Sequence, residues 1–313
     1  MEERYVGRSG LRVSRLGLGT MTWGRDTDEH EAADQLRDFV TAGGTLVETG
    51  AGYGAGAAEE LLGHLLGHLV LRDDLVLAAR PESGTSRRGM LAALDATLDR
   101  LGTDHLDLWL APGWDPRVPV EETLSALEYA VTTGRARYAG VADHSGWQTA
   151  LAAARGGAWG PVAVQSEYSL VQRGIEREVL PAAAALGLGV LAWSPLGRGV
   201  LTGKYRAGTP ADSRAASPHL SAFVAPYLGR DARRVVDAVV TAADGLGCEP
   251  LEVALAWARD RPGVASVLVG ARTAAQLRGS LLSEDVELPP EIRTALDDVS
   301  APPVGYPERS GGC

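Results

Sequence analysis

The sequence predicts an α/β protein: a single (β/α)8 TIM barrel with an N-terminal β-hairpin plug and a long loop after strand seven of the barrel. Three observations carry that expectation. Short β-rich runs alternate with helical stretches along the whole chain, and eight such units can be counted. The runs are apolar on both faces, as strands in a covered parallel sheet are. A length of 313 residues suits one such barrel and is long for a sandwich or a bundle. A doubly wound open sheet is the competing architecture, but it seldom uses so many regular units.

The elements follow in order. "YVGRSGLRV" (5–13) reads as a hairpin turning at Arg8-Ser9-Gly10, set before the first barrel strand as a plug for the barrel floor. The barrel strands are "RLGLGT" (15–20), "TLVET" (45–49), "LVLAA" (75–79), "LDLWLA" (106–111), "RYAGVA" (137–142), "VAVQSE" (162–167), "GVLAWS" (189–194) and "ASVLVG" (265–270). Helical patterns fill the gaps at 28–42, 57–71, 87–101, 120–133, 146–155, 175–186, 230–246 with 250–260, and 273–282. Asp28 with Glu31 and Thr273 with Gln276 have the spacing of capping boxes, and Gly43 and Gly134 stand where helices stop. No linker breaks the chain, so residues 1–313 read as one domain. Two segments exceed the repeat, 195–229 after the seventh strand and the tail from 283. Long βα insertions in a barrel shape the active-site mouth.

Composition narrows the function. With 30 basic and 40 acidic residues the net charge is −10, which argues against nucleic acid and anionic membrane and leaves a small-molecule substrate. Cys248 and Cys313 are too few and too far apart for a disulfide framework, and neither stands in a metal-ligand spacing. The opening "MEERYVGR" is charged and lacks the apolar stretch of a secretory signal. The longest apolar run, "AAAALGLGVLAW" (182–193), is too short to span a bilayer. We therefore expect a soluble, cytoplasmic protein; the sequence does not give its oligomeric state. Of the 30 basic residues, Lys204 is the one lysine.

The stretch "TLVETGAGYG" (45–54) sets a carboxylate, Glu48, and a phenol, Tyr53, at the end of an apolar strand, with glycines at 50, 52 and 54 around them. Such turns let the backbone approach a ligand and are where enzymes place reactive side chains. Barrels also hold phosphates with the loops after their last two strands and a helix N-terminus. Here those loops are "WSPLGRGVLTGKY" (193–205) and "GARTAAQ" (270–276). The first is glycine-rich, so N–H groups can converge on an anion, and it carries Lys204. The second puts Arg272 just before a helix capped by Thr273, where a guanidinium fork suits a phosphate monoester.

Lesser features are read more simply. Gly17-x-Gly19 lacks the third glycine and helix start of a dinucleotide fingerprint and is taken as a strand end approaching a cofactor. His64 and His68 are one helical turn apart, but no third ligand is evident, so they are read as a solvated helix face and no metal site is expected. Trp23, Trp114 and Tyr227 fall in mouth loops, either lining an apolar pocket or packing the core.

"GRSGLRVSRLGLGTMTWG", "EYSLVQRGIEREVLP", "WSPLGRGVLTGKY" and "VLVGARTAAQL" together resemble the aldo-keto reductase superfamily, in the branch of bacterial oxidoreductases and potassium-channel β subunits. The resemblance covers nearly the whole chain. It implies NADP(H) lying extended across the C-terminal mouth of the barrel. By that resemblance Trp193 stacks under the nicotinamide and Gln165 holds its carboxamide. Ser194, Leu196, Gly197, Leu201 and Lys204 wrap the pyrophosphate, and Arg272 and Gln276 face the adenosine 2′-phosphate. Thr20, Met21 and Gly270 complete the implied cofactor set.

The family's catalytic set is Asp, Tyr, Lys and His, and only the tyrosine, Tyr53, is intact here. Glu48 stands at the aspartate position, Arg80 at the lysine position and Pro112 at the histidine position. Glu48 and Arg80 keep one charge of each sign, so an ion pair can persist. Arg80 can lower a phenol's pKa by its charge but cannot relay a proton, because its own pKa stays above about 12. Pro112 is the severe change, since losing one donor to a developing oxyanion costs on the order of 10²–10³ in rate. After the fifth strand, where the family usually has Ser-Asn, the chain has Ala142 and Asp143, and aspartate cannot donate to a carbonyl. His144 follows; it is read mainly as a loop histidine beside the cap Ser145, with replacement of the lost imidazole as the alternative.

The leading expectation is an NADP(H)-dependent oxidoreductase with altered chemistry, acting on a conjugated or activated substrate. Two alternatives stand beside it. One is a non-redox isomerase, dehydratase or cyclase using Tyr53 and Glu48. The other is a regulatory protein that binds the nucleotide without turnover.

Overall fold

In the computed structural model, which describes residues 1–211, 213–303 and 305, the chain opens on a hairpin of β1 (Glu3–Tyr5) and β2 (Arg12–Ser14). The strands pair antiparallel, with Tyr5 opposite Arg12. Val6, Leu11 and Val13 from this hairpin pack with Leu46, Leu108, Leu191 and Leu268 inside the barrel, so the hairpin closes the N-terminal end. Gly7 makes the fit: with φ +58° it lies so close to the start of the seventh barrel strand that a Cβ would meet Gly187 O at 2.2 Å.

Eight parallel strands and their helices follow. They are β3 (Leu16–Gly19), α1 (Glu29–Thr41), β4 (Leu46–Gly50), α2 (Ala57–Leu65), β5 (Val76–Arg80), α3 (Arg87–Leu101), β6 (Leu106–Ala111) and α4 (Val120–Thr132). Then come β7 (Ala136–Ala142), α5 (Gly146–Arg155), β8 (Pro161–Glu167), α6 (Val179–Leu186) and β9 (Gly189–Trp193). The short α7 (Ser221–Val224) precedes α8 (Arg230–Leu246), α9 (Pro250–Arg259), β10 (Val264–Val269), α10 (Ala274–Leu281) and α11 (Pro290–Val299). The sheet closes in the order β10-β3-β4-β5-β6-β7-β8-β9, a (β/α)8 barrel as expected. Every residue of β3, β4 and β10 is buried, which is why those runs are apolar without alternation.

Two helices depart from the periodic reading. α2 stops at Leu65 rather than 71, because Leu66 is extended and Gly67 takes φ +77°. His68 therefore lies off the helix, and the one-turn spacing with His64 is not realised. α6 begins at Val179 rather than 175, since Pro181 lacks the N–H an interior helical position needs and is tolerated only in a first turn. The two expected capping boxes are each half made. Asp28 accepts from Glu31 N at 2.9 Å, but the Glu31 carboxylate crosses to Ala274 N at 2.5 Å. Thr273 accepts from Gln276 N at 3.3 Å, while Gln276 Oε1 accepts from Arg272 N at 3.0 Å. The tail holds α11, which the sequence did not reveal. Cys313 lies outside the described residues. Among those described, no helix is long and apolar enough to cross a membrane, and no group of three or more His, Cys, Asp or Glu is placed to hold a metal ion.

Candidate active site

The C-terminal ends of the strands gather the reactive side chains. Arg80 ends β5 opposite Gly50 of β4, which sets it beside Glu48. Gln165 projects from β8 and Trp193 ends β9. After β4 the chain turns tightly through Tyr53–Gly56, with Gly54 and Ala55 at left-handed φ of 59° and 56°. That turn brings Tyr53 back over the strand that carries Glu48. Its hydroxyl donates to Glu48 Oε1 at 2.9 Å, with Oε2 at 3.3 Å. Gln165 Nε2 donates to the same Oε1 at 2.9 Å. Arg80 Nε stands 4.0 Å from it, and the guanidinium carbon lies 5.9 Å from the Tyr53 ring centroid.

Burial governs the charges here. Glu48 is 3% exposed, and burial raises its pKa against the opposing pull of Arg80, Gln165 and Tyr53. The Tyr53 pKa is raised too, by burial first and then by the Glu48 charge, with Arg80 offsetting only part. The phenol is therefore held neutral. Burial works against the Arg80 charge, but Tyr53, Glu48 and Asp143 outweigh it and raise its pKa. Arg80 Nε is buried with no hydrogen-bond partner among the described residues.

A cavity of about 480 Å³ runs past this trio. Of the residues the resemblance assigns to the cofactor, Met21, Gln165, Trp193, Ser194, Leu196, Lys204, Gly270, Arg272 and Gln276 lie on its wall, together with Tyr53, Glu48 and Arg80. Thr20, Gly197 and Leu201 do not line it. Thr20 is fully buried and its N–H donates to the Glu48 carbonyl at 3.0 Å; Gly197 is buried against Val171; Leu201 joins the core. Glycine is required at 199, where φ is +96° and a Cβ would lie 3.3 Å from the Lys204 ammonium.

The sequence reading passed over three wall residues, Arg198, Arg214 and Phe223. Arg198 forks onto Glu167 at 2.9 and 2.7 Å and donates to Phe223 O at 2.6 Å. Its guanidinium carbon lies 3.9 Å from the Phe223 ring centroid, so it pins the insertion 195–229 over the mouth. Arg214, from the same insertion, donates to Gly270 O at 3.3 Å. Its pKa is lowered by burial and then by the neighbouring Arg272 charge, so two cations are held together at one wall, a disposition that suits an anion. The only sequence signal for Arg198 was its place between glycines in "GRG". For Arg214 there was none, since the insertion carries no periodic pattern.

Other candidates are placed elsewhere. His144 is 5% exposed, its ring Nδ1 lies 2.8 Å from Ala142 O, and it stacks edge-on with Trp114 at 5.6 Å. It is not on the wall of this cavity, and burial lowers its pKa. Pro112 is buried past the end of β6 and also lies off that wall. Trp23 and Tyr227 pack in the core, Trp23 donating to Gln35 Oε1 at 2.9 Å. Asp143 does line the cavity. It holds φ +54°, its N–H donates to Gln165 O at 2.8 Å, and its Oδ1 accepts from Trp193 Nε1 at 2.9 Å.

Fold and site together define a barrel enzyme scaffold with polar chemistry at the C-terminal mouth and a cationic wall beside its last two loops. The chain belongs to the aldo/keto reductase family, whose model matches residues 15–301. It is 35% identical to the uncharacterized oxidoreductase YrpG of Bacillus subtilis (strain 168), over 97% of this chain and 98% of that one. It is 34% identical to a probable voltage-gated potassium channel subunit beta of Oryza sativa subsp. japonica, over 99% of each. A protein of the same description from Arabidopsis thaliana is 33% identical over 91% of this chain and 92% of its own. Membership in this family supports a general oxidoreductase role.

Proposed function

We propose that this protein is a cytoplasmic NADP(H)-dependent oxidoreductase with an altered catalytic set, handling a small molecule through Tyr53, Glu48 and Arg80. The observation that carries this reading is the one cavity joining that trio to Lys204, Arg214 and Arg272. The donor set fits the cofactor. Lys204, Arg214 and Arg272 lie on the cavity wall, cations of the kind that hold phosphates, and Trp193 offers a flat face. When bound, the nicotinamide exchanges a hydride with the substrate.

The chain's own residues handle the oxygen and the proton. The Arg80 guanidinium, on the cavity wall, offers a charged hydrogen bond to a substrate oxygen, the task for which Pro112 has no group. Tyr53 gives or takes a proton at its hydroxyl oxygen. Glu48, whose raised pKa brings its proton exchange nearer neutral pH, exchanges that proton along the 2.9 Å bond. With no imidazole to orient a plain carbonyl, activated or conjugated substrates suit the site better than simple aldehydes.

Two measurements test the proposal. Calorimetry with NADPH and NADH on the wild type and Arg272→Ala should show a preference for NADPH that the variant loses. Equal binding of both nucleotides, or a variant that keeps the preference, refutes the loop assignment. Loss of NADPH absorbance across a panel of aldehydes, ketones and enones should favour the enones. Silence across the whole panel refutes hydride transfer.

A further inference from the structure

We propose that Asp143 makes the oxidised nicotinamide the favoured occupant of the cavity, so that the protein rests as its NADP+ complex and bound NADPH is the stronger hydride donor; this rests on the cofactor reading above. The charges around the Trp193 end of the cavity carry the assignment. Glu167 is matched by the bidentate Arg198, with contacts of 2.9 and 2.7 Å. Glu48 has Arg80 at 4.0 Å. Among the described residues, the side chain of Asp143 binds a neutral donor, the Trp193 indole at 2.9 Å. Two carboxylates, Glu48 and Asp143, thus draw on one guanidinium. Among the described residues, the Trp193 end therefore carries an excess of negative charge.

That polarity matches one redox state better than the other. Both states carry the anionic phosphates, but only the oxidised ring bears a positive charge. A carboxylate bonded to the indole beneath that ring attracts the cation and gains nothing from the neutral reduced form. Hydrogen bonding points the same way. Gln165 Nε2 is committed to Glu48 at 2.9 Å, and Asp143 has no donor, so this wall presents acceptors to a carboxamide NH2. The amide of a cationic ring is the stronger donor. By linkage, tighter binding of the oxidised form makes the bound reduced cofactor the stronger hydride donor, with the Tyr53–Glu48 pair supplying the proton to the substrate.

The test is the ratio of dissociation constants for NADPH and NADP+, measured by calorimetry on the wild type and Asp143→Asn. Asparagine tolerates the left-handed backbone and still accepts from the Trp193 indole, so the charge is removed and one acceptor becomes an amide donor, and both changes weaken the preference for the oxidised ring. We expect the ratio Kd(NADPH)/Kd(NADP+) to fall about tenfold in the variant, a solvent-screened unit charge acting within a few ångströms. Asp143→Ser should show the same fall if the asparagine variant is poorly folded. Tight binding of both nucleotides with an unchanged ratio overturns the role of Asp143 and leaves the cofactor reading intact. Binding of neither overturns both.

Discussion

Replacing Tyr53 with phenylalanine removes one oxygen and keeps the ring. In the wild type that hydroxyl donates to a carboxylate that is 3% exposed, at 2.9 Å. A hydrogen bond to a charged group contributes about 1.5–3 kcal/mol, and its loss from a buried acceptor is not made good by water. The variant leaves Glu48 with Gln165 Nε2 at 2.9 Å and Arg80 at 4.0 Å. At that separation and an effective dielectric near 20 the ion pair retains about 4 kcal/mol of attraction, so Glu48 stays in place and the loss is that of one bond. We expect a destabilisation of about 2 kcal/mol, seen as a Tm lower by about 4 °C.

Turnover should fall much further, by at least about 10²-fold, the lower range for a positioned proton donor. Scanning calorimetry reads the first effect, initial rates with the best enone read the second, and nucleotide affinity should hold steady. A phenylalanine variant that melts with the wild type would show that the hydroxyl does not hold Glu48 in solution. One that turns over like the wild type would reduce Tyr53 to a wall and move the proton donor to Glu48.

Three further outcomes follow from the same geometry. Glu48→Asp, Arg80→Lys and Pro112→His made together restore the family set and should raise NADPH-dependent reduction of a simple aldehyde by at least about tenfold; an unchanged rate would show that these positions are not what limits it. Burial holds the pKa of His144 below the ordinary histidine value of 6.5, so the unfolded chain takes up a proton that the fold refuses. Its contribution to stability is thus full above pH 6.5 and declines as the pH falls from there toward the folded value, and urea melts of His144→Asn should show a flatter acid limb. Arg198→Ala severs the fork onto Glu167 and the bond to Phe223 O, and should raise limited proteolysis within 213–229 and speed nucleotide release; wild-type digestion would mean the insertion is held by its other contacts.

The barrel was readable because its strands are buried on both faces. A run such as "LDLWLA" carries its own address, and β6 spans Leu106–Ala111 as read. Helix ends were readable where a backbone requirement was local, as at Gly43 and Gly134, both at left-handed φ. They were missed where glycine or proline overrode the periodicity, as at Gly67 and Pro181. The site was half readable. Register sets Arg80 at the end of β5 beside Glu48 within β4, and the glycine-rich turn after β4 returns Tyr53 to them, so all three were legible from a short stretch and one strand end. Arg198 and Arg214 come from a long insertion whose path is set by tertiary contacts, and nothing within a few residues of either announces them. The pairing of Gln165 with Glu48 was likewise out of reach, because it joins residues 117 positions apart.

On the proposed reading, that pairing ties together the positions where the resemblance implies other residues. Glutamate is one methylene longer than aspartate, and here its Oε1 meets the Tyr53 hydroxyl and the Gln165 amide at once, each at 2.9 Å. The carboxylate thereby takes up a tyrosine proton and a glutamine amide that otherwise face the cavity. Arg80 cannot relay a proton, but its fixed charge keeps a buried Glu48 tolerable, and its Nε remains a donor without a partner. With Gln165 bonded to Glu48 and Asp143 tied to the Trp193 indole, the wall beside Trp193 presents acceptors. A site arranged this way offers a carboxylate–phenol pair to exchange a proton and, among the described residues on its wall, no imidazole to orient a plain carbonyl, which is why the proposed chemistry suits an activated substrate.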